Sequence, residues 1–331
     1  MASTTAAQGE TPGKVLLLTE AEVKQLLTMD LALEAVEQGL RKMALDEAHL
    51  ISRQRVVTDH SMLHLMGAAA KSLGVMGAKV YATSRKGPPQ FVVNLFDGKT
   101  GALRALIQAD YLGQVRTGAA SGIATRYMAR PDAAELGVYG SGLQARTQVE
   151  AICKVRKIRR VSVYSPNEQR RNAFAEEMSR RCEVEVVPVV RPELAAEDRD
   201  IIVTATTARE PVLLGHWVPP GVHINAVGSN FLSKSELEVS VLRKCSDVVV
   251  DSKDQCRLEA GDFSQAIEDG ALHWSDIREL GQIIVGRYSV RKDPQDITLF
   301  KSVGIAIEDI VVASKIHQKA LAEGVGRLVE W

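Results

Sequence analysis

Two groups of residues in this chain have the types and spacing to do chemistry. The first is a run of six: Gly140, Ser141, Gly142, Leu143, Gln144 and Ala145. It follows the apolar stretch Leu136 to Tyr139 and opens a helical pattern through Val149 and Ile152. Gly140 permits a tight turn and Gly142 a close main-chain approach to a pyrophosphate. Ala145 is small enough for the helix to sit against a sheet, and the helix start offers free amides and a partial positive charge. In this strand–turn–helix setting the spacing predicts a dinucleotide site; the alternative is a tight turn with no ligand.

The second group is basic. Arg55 starts a strand-like stretch, Lys79 stands among apolar residues between Met76 and Thr83, and Arg116 precedes a small-residue-rich helix. A lysine among apolar strand residues is costly unless it is paired or used. By composition alone each of the three reads as a surface or ion-paired base.

The end of the second strand of the nucleotide unit selects between nicotinamide nucleotides. Val163 and Tyr164 run into Ser165, Pro166 and Asn167, so no acid stands ready to accept from a ribose 2′-hydroxyl. Ser165 and Asn167 can hydrogen-bond a 2′-phosphate, and Arg170 or Arg171 can neutralise it. Glu168 is the dissenting residue. The pattern favours NADPH over NADH.

These residues need elements to position them. Thr19 and Glu22 form a capping box. From Asp30 a helical apolar stripe runs through Leu33, Val36, Leu40 and Met43, ending near Leu45. Residues 55–106 alternate as strands, broken by turn clusters at Gly87, Pro88 and Pro89 and from Asp97 to Gly101. This first part is a mixed α+β unit. A helix is expected from Thr117 to Met128, before Pro131. Short apolar runs follow at 136–139, 161–164, 184–189, 200–205, 222–227 and 248–251. Such runs, separated by helical segments, mark a parallel sheet covered on both faces. A last strand is expected at Ile283 to Val285, and a final helix at about 302–322 should pack back on the first unit. The fold class is α/β: a doubly wound Rossmann domain plus an α+β domain.

Composition narrows the partners. Over 331 residues, 41 Lys and Arg balance 41 Asp and Glu, which leaves no global field for nucleic acid or an acidic membrane. The cluster Lys154, Arg156, Lys157, Arg159 and Arg160 reads as solvated surface. A charged ligand must then be held by a few local residues. No apolar run reaches the length of about 18 needed for a membrane span. Residues 1–13 lack the basic start and apolar core of a secretory signal and read as a frayed terminus. Cys153, Cys182, Cys245 and Cys256 show no CxxC pairing, which suggests free thiols in a reducing cytoplasm. His60 and His64 stand four apart without a Glu after His60, in a strand-like setting, so no metal site is expected.

A linked set of segments goes further. Gly77 to Lys79, Asp97 to Gly101, Arg116 to Ser121, Gly140 to Ala145, Ile224 to Gly228, Glu259 to Asp262 and Asp296 to Gly304 together resemble the ornithine cyclodeaminase/mu-crystallin family. The likeness runs from the Asp30 helix to Asp309. It implies a homodimer in which residues 14–116 with 306–331 bind substrate and pair subunits, while 117–305 form the Rossmann domain. It also implies that Arg55, Lys79 and Arg116 gather round a substrate carboxylate, with Lys79 a candidate proton donor. Thr117, Val227 and Ser302 would lie beside the cofactor.

Two departures bear on specificity. The family's deaminases and dehydrogenases carry an Asp where this chain has Asn230, and Asn cannot act as a general base at neutral pH. Pro88 and Pro89 replace a hydroxyl-bearing residue near the substrate. The resemblance and Asn230 together imply an NAD(P)H-dependent reductase of an imine bearing an α-carboxylate, either a cyclic ketimine or the adduct of a keto acid and an amine. The alternatives are an amino-acid dehydrogenase or ornithine cyclodeaminase, and a crystallin-like NADPH-binding protein without turnover.

Overall fold

Alternating apolar and polar residues between positions 48 and 108 build an antiparallel meander in the computed structural model, which describes residues 13–331. The reading of the terminal segment before it lies outside the described residues. Strands Ala48–Val57, Ser61–Ala70, Val75–Ser84, Gln90–Asp97 and Leu103–Gln108 pair in chain order. Lys14–Leu18 joins parallel to Leu103–Gln108, and Arg327–Glu330 closes that edge antiparallel. Pairing with period 2 puts Met66, Lys79 and Val93 on one face, where they are buried. The helix Ala306–Glu323 covers that face and also packs on the helix Met29–Ala44. On the opposite face Leu63, Met76 and Val92 remain exposed.

The second sheet is parallel throughout. Its spatial order is Glu185–Pro188, Arg160–Tyr164, Glu135–Tyr139, Ile201–Thr204, His223–Ala226, Thr298–Lys301, Asp247–Val250 and Arg278–Glu279. The strand that comes first in the chain, Glu135–Tyr139, lies inside the sheet with later strands on both sides. Connections diverge at its carboxyl end, where ligands of doubly wound sheets bind. Gly140 follows it directly. No helix of the described residues is long and apolar enough to cross a membrane.

Three expected elements are corrected and one is added. The helix holding Arg116 spans Asp110–Met128 and starts earlier than expected, because its first amides are capped from afar: Glu20 accepts from Asp110 N at 2.6 Å and Tyr111 N at 3.2 Å. Residues 283–285 are not a strand; Leu280–Ile284 is a short helix whose Gly281 sits against the Leu40 carbonyl. An apolar run of that length fits a buried turn of helix as well as a strand. The strand of that region is Thr298–Lys301, inserted between two earlier ones. The final helix starts at Ala306 rather than 302, because Ser302 to Gly304 form an irregular loop held by the buried Asp251 carboxylate. The C-terminal strand Arg327–Glu330 adds an element to those expected: Gly324 and Gly326, at φ 67° and 94°, turn the chain out of the last helix, and the strand pairs antiparallel with Lys14–Leu18.

Candidate active site

The dinucleotide turn has the geometry its residues suggest. Gly140 adopts φ 109°, and a Cβ there would lie 2.3 Å from the Ala205 carbonyl oxygen. Only glycine fits both constraints. A Cβ on Gly142 would meet nothing within 4 Å, so open space lies in front of it. Gly142 caps the helix Leu143–Val155 with no side-chain hydrogen bond, which leaves the first-turn amides for an anion. Gln144 Oε1 is buried without a partner. These features fit a dinucleotide pyrophosphate.

Gly142, Leu143 and Gln144 form one wall of a cavity of about 460 Å³. The strand ends supply a second wall through residues 205–207, 227, 228, 230 and 302–304; the inner face of the first sheet and the helix Asp110–Met128 supply the rest. Thr117, Val227 and Ser302 therefore line the same cavity as the glycine turn. Gly140 and Ser141 stand behind it. Ser165, Asn167 and Arg170 lie outside the lining, at the end of the strand Arg160–Tyr164. There Asn167 Oδ1 caps the next helix by accepting from Arg170 N at 2.9 Å, while the Arg170 side chain is exposed. Arg171 is turned inward and donates to the Ser165 carbonyl at 2.5 Å, so it is unavailable to a phosphate.

Of the three expected cations, Lys79 and Arg116 line the cavity and Arg55 does not. Lys79 is buried; its Nζ donates to Asp309 Oδ1 at 2.7 Å and lies 5.4 Å from the Phe91 ring centre. Burial pushes its pKa down to about 8, with Asp309 opposing the shift. Arg116 donates through Nε to Asp309 at 3.1 Å and through Nη1 to Glu308 at 2.6 Å. Burial disfavours its charge, but these two carboxylates raise its pKa above the ordinary value. Its Nη2 has no partner among the described residues.

The third cation at the cavity is Arg53, not Arg55. Both point to the inner face of the strand Ala48–Val57, so alternation cannot separate them. Position across the sheet does. Arg53 Nη2 donates to the Val303 and Gly304 carbonyls at 3.1 and 3.0 Å, and Nη1 pairs with Glu259. Counting donors, one N–H on Nη1 stays available. Arg55 also pairs with Glu259, but its guanidinium stacks on Phe231 at 4.6 Å and donates to the Asn230 carbonyl at 3.2 Å.

Gly304, at φ 76°, lies between Arg53 and Arg116: its carbonyl accepts from Arg53 Nη2, and a Cβ there would sit 2.6 Å from Arg116 Nη1. Asn230 lines the cavity, and its carboxamide makes no hydrogen bond among the described residues. Pro88 and Pro89 lie in an exposed turn and do not line it. Sequence reasoning missed Arg53, Glu308 and Asp309 as members of this network. The signal was present: two acids inside the apolar run Ala306 to Ala313 demand buried cations.

The whole chain has close relatives. The family model described as ornithine cyclodeaminase/mu-crystallin family matches residues 14–324. Delta(1)-pyrroline-2-carboxylate reductase of Bacillus cereus is 33% identical over 326 residues, covering 96% of this chain and 100% of that protein. Alanine dehydrogenase of Archaeoglobus fulgidus is 33% identical over 327 residues, covering 96% and 99%. The solved structure of Thermococcus litoralis Delta(1)-pyrroline-2-carboxylate reductase, in complex with NADH and L-proline, superposes with TM-score 0.90 at 36% identity. That match covers 95% of this chain and 99% of the other.

Proposed function

Because the chain belongs to the ornithine cyclodeaminase/mu-crystallin family, we propose that it uses a reduced nicotinamide dinucleotide to convert an imine bearing an α-carboxylate into an amino acid. One observation carries this reading: the buried cations Lys79 and Arg116 line the cavity that the dinucleotide turn opens into, and burial pushes the Lys79 pKa down to about 8. A bound nicotinamide supplies the hydride. Residues Gly142 to Gln144 would hold its pyrophosphate, with Thr117, Val227 and Ser302 along its length.

The chain's own residues do the rest. Arg116 Nη2 and the remaining Arg53 N–H would fix the carboxylate, which sets the orientation of the C=N carbon. Lys79 Nζ, protonated at neutral pH, would give a proton to the nitrogen as it becomes an amine. Four buried or half-buried cations pair with three acids: Arg53 and Arg55 with Glu259, Lys79 and Arg116 with Asp309, and Arg116 also with Glu308, whose carboxyl burial pushes up to about 8. The cations outnumber the acids that pair with them, which suits a substrate carboxylate. Met66, Tyr81 and Phe91 add an apolar side wall suited to a hydrocarbon ring.

The test is oxidation of NADPH or NADH with pyrroline-2-carboxylate, piperideine-2-carboxylate, and pyruvate plus methylamine. Turnover with at least one is expected; none with any would overturn the reading. The similarity to alanine dehydrogenase keeps a second reading, amino-acid oxidation, which predicts amino-acid-dependent NADH formation. Asn230 argues against it, since no carboxylate stands there to take a proton.

NADPH is the proposed nucleotide. The strand Arg160–Tyr164 ends without an acid, and Arg170 is exposed with its guanidinium free among the described residues. Arg170→Ala should weaken NADPH binding by roughly ten-fold, the loss of one charge-assisted contact, and leave NADH binding unchanged. Equal effects on both nucleotides in a fluorescence titration would remove Arg170 from that role.

The same reading makes residues 14–116 with 306–331 the substrate-binding and dimerisation domain and 117–305 the nucleotide domain. The exposed apolar sheet face, with Ile51 62% and Leu63 38% exposed, supports a homodimer. Four free thiols support a reducing cytoplasm.

A further inference from the structure

Asn230 sits on a loop whose main chain is gripped at three successive residues. Gly228 N donates to Glu236 Oε2 at 2.7 Å, and the same carboxylate accepts from Thr206 N at 2.6 Å. Lys301 Nζ, fully buried and paired with Asp262 at 2.7 Å, donates to the Ser229 carbonyl at 2.6 Å. Arg55 Nη2 donates to the Asn230 carbonyl at 3.2 Å, and its guanidinium lies 4.6 Å from the Phe231 ring centre. Glu236 and Lys301 belong to the nucleotide sheet and its connections. Arg55 is the grip that comes from the other sheet.

We infer that Arg55 is a positioning residue: it holds the loop 228–231 against the substrate sheet, and so aims the Asn230 carboxamide into the cavity. Glu259 serves this arrangement by pairing with both Arg53, which lines the cavity, and Arg55, which does not. One buried carboxylate from the helix Lys253–Glu259 thus ties the carboxylate-binding side of the site to the loop on its other side. Without Arg55 the two main-chain grips from the nucleotide sheet remain, so the loop stays attached while its end, Asn230 and Phe231, loses its reference to the substrate sheet. The inference rests on the imine-reductase reading for its kinetic consequence, but not for its structural one.

The experiment compares wild type, Arg55→Met, Asn230→Ala and the double variant, with pyrroline-2-carboxylate as substrate and L-proline as the inhibitory probe. Arg55→Met should lower kcat about ten-fold and leave the L-proline inhibition constant within about two-fold, and the kcat loss should vanish in the Asn230→Ala background. An undiminished loss in that background, or a ten-fold weaker L-proline constant, would overturn the inference and return Arg55 to direct carboxylate binding. Amide hydrogen exchange provides an arm that needs no turnover. In Arg55→Met, residues 228–235 should exchange about ten-fold faster while Ile201–Thr204 is unchanged. Unaltered exchange in 228–235 would also overturn it. Absence of turnover by wild type strikes the imine reading alone, and the exchange result then decides the role of Arg55.

Discussion

Lys79→Ala is expected to lower kcat/KM for imine reduction by about 3 to 4 kcal/mol, or roughly 10² to 10³-fold, as loss of a positioned charged donor does. Two roles are removed together, the positive charge near the carboxylate and the proton for the nitrogen. Lys79→Arg separates them. Arginine keeps the charge but gives up its proton far less readily, so it should bind L-proline nearly as wild type and still lose most of kcat. The pH dependence carries a sign. Burial lowers the Lys79 pKa to about 8, so the amine is protonated below that pH and neutral above it. Imine reduction, which consumes the proton, should fall as pH rises through about 8; amino-acid oxidation, which needs the neutral amine, should rise through the same point. Activity of Lys79→Ala within a few-fold of wild type would remove it from the mechanism.

The contrast between Lys79 and Arg55 shows what the sequence carries and what it does not. A lysine between Ala78 and Val80 in an apolar strand announces itself, because the energetic penalty is local and visible in the run. The nucleotide turn is legible for the same reason: strand, glycines and helix are contiguous. Arg53 and Arg55 differ by one full strand period, and the strand carries a bulge between Ile51 and Gln54, so both face inward. Which one meets the cavity depends on residues about 200 positions away, Glu259 and Asn230, that no local pattern links to them.

The helix Asp110–Met128 teaches the same lesson. Its cap is Glu20, on another element, so its start could not be read from its own residues. The composition of Ser302 to Gly304 continues into a helix; Asp251, which accepts from Ser302 Oγ, Val303 N and Gly304 N, holds the loop out of it. In each case the decisive partner is a buried charge distant in sequence.

Asp309 is where those distant charges converge, and Asp309→Asn should show the largest effect on stability. Its Oδ1 receives Lys79 at 2.7 Å and Arg116 at 3.1 Å, all three groups being buried. Burial alone would raise the Asp309 carboxyl, but Arg116 and Lys79 hold it below the usual carboxylate range. Asparagine keeps the shape and removes the charge, leaving two cations with one acid fewer. Breaking a buried pair in this way costs about 3 to 5 kcal/mol. Asp309 is also what opposes the fall of the Lys79 pKa, so in the variant that pKa drops further and the loss of imine reduction with rising pH begins below pH 8. The linkage sign follows. A lysine whose folded pKa lies below its unfolded value binds fewer protons when folded, so stability increases with pH between the two. Above about pH 4, where Asp309 is ionised, the deficit of Asp309→Asn should therefore be greatest on the acid side and shrink as pH rises, because a neutral Lys79 relieves the unbalanced charge. At lower pH it shrinks again, because wild type loses the Asp309 charge as pH falls through its lowered folded pKa. Thermal melts across pH, read beside the pH–rate profile, test both statements. A deficit that grows with pH between about 5 and 8, or a rate profile still centred near 8, would mean that Asp309 does not govern Lys79.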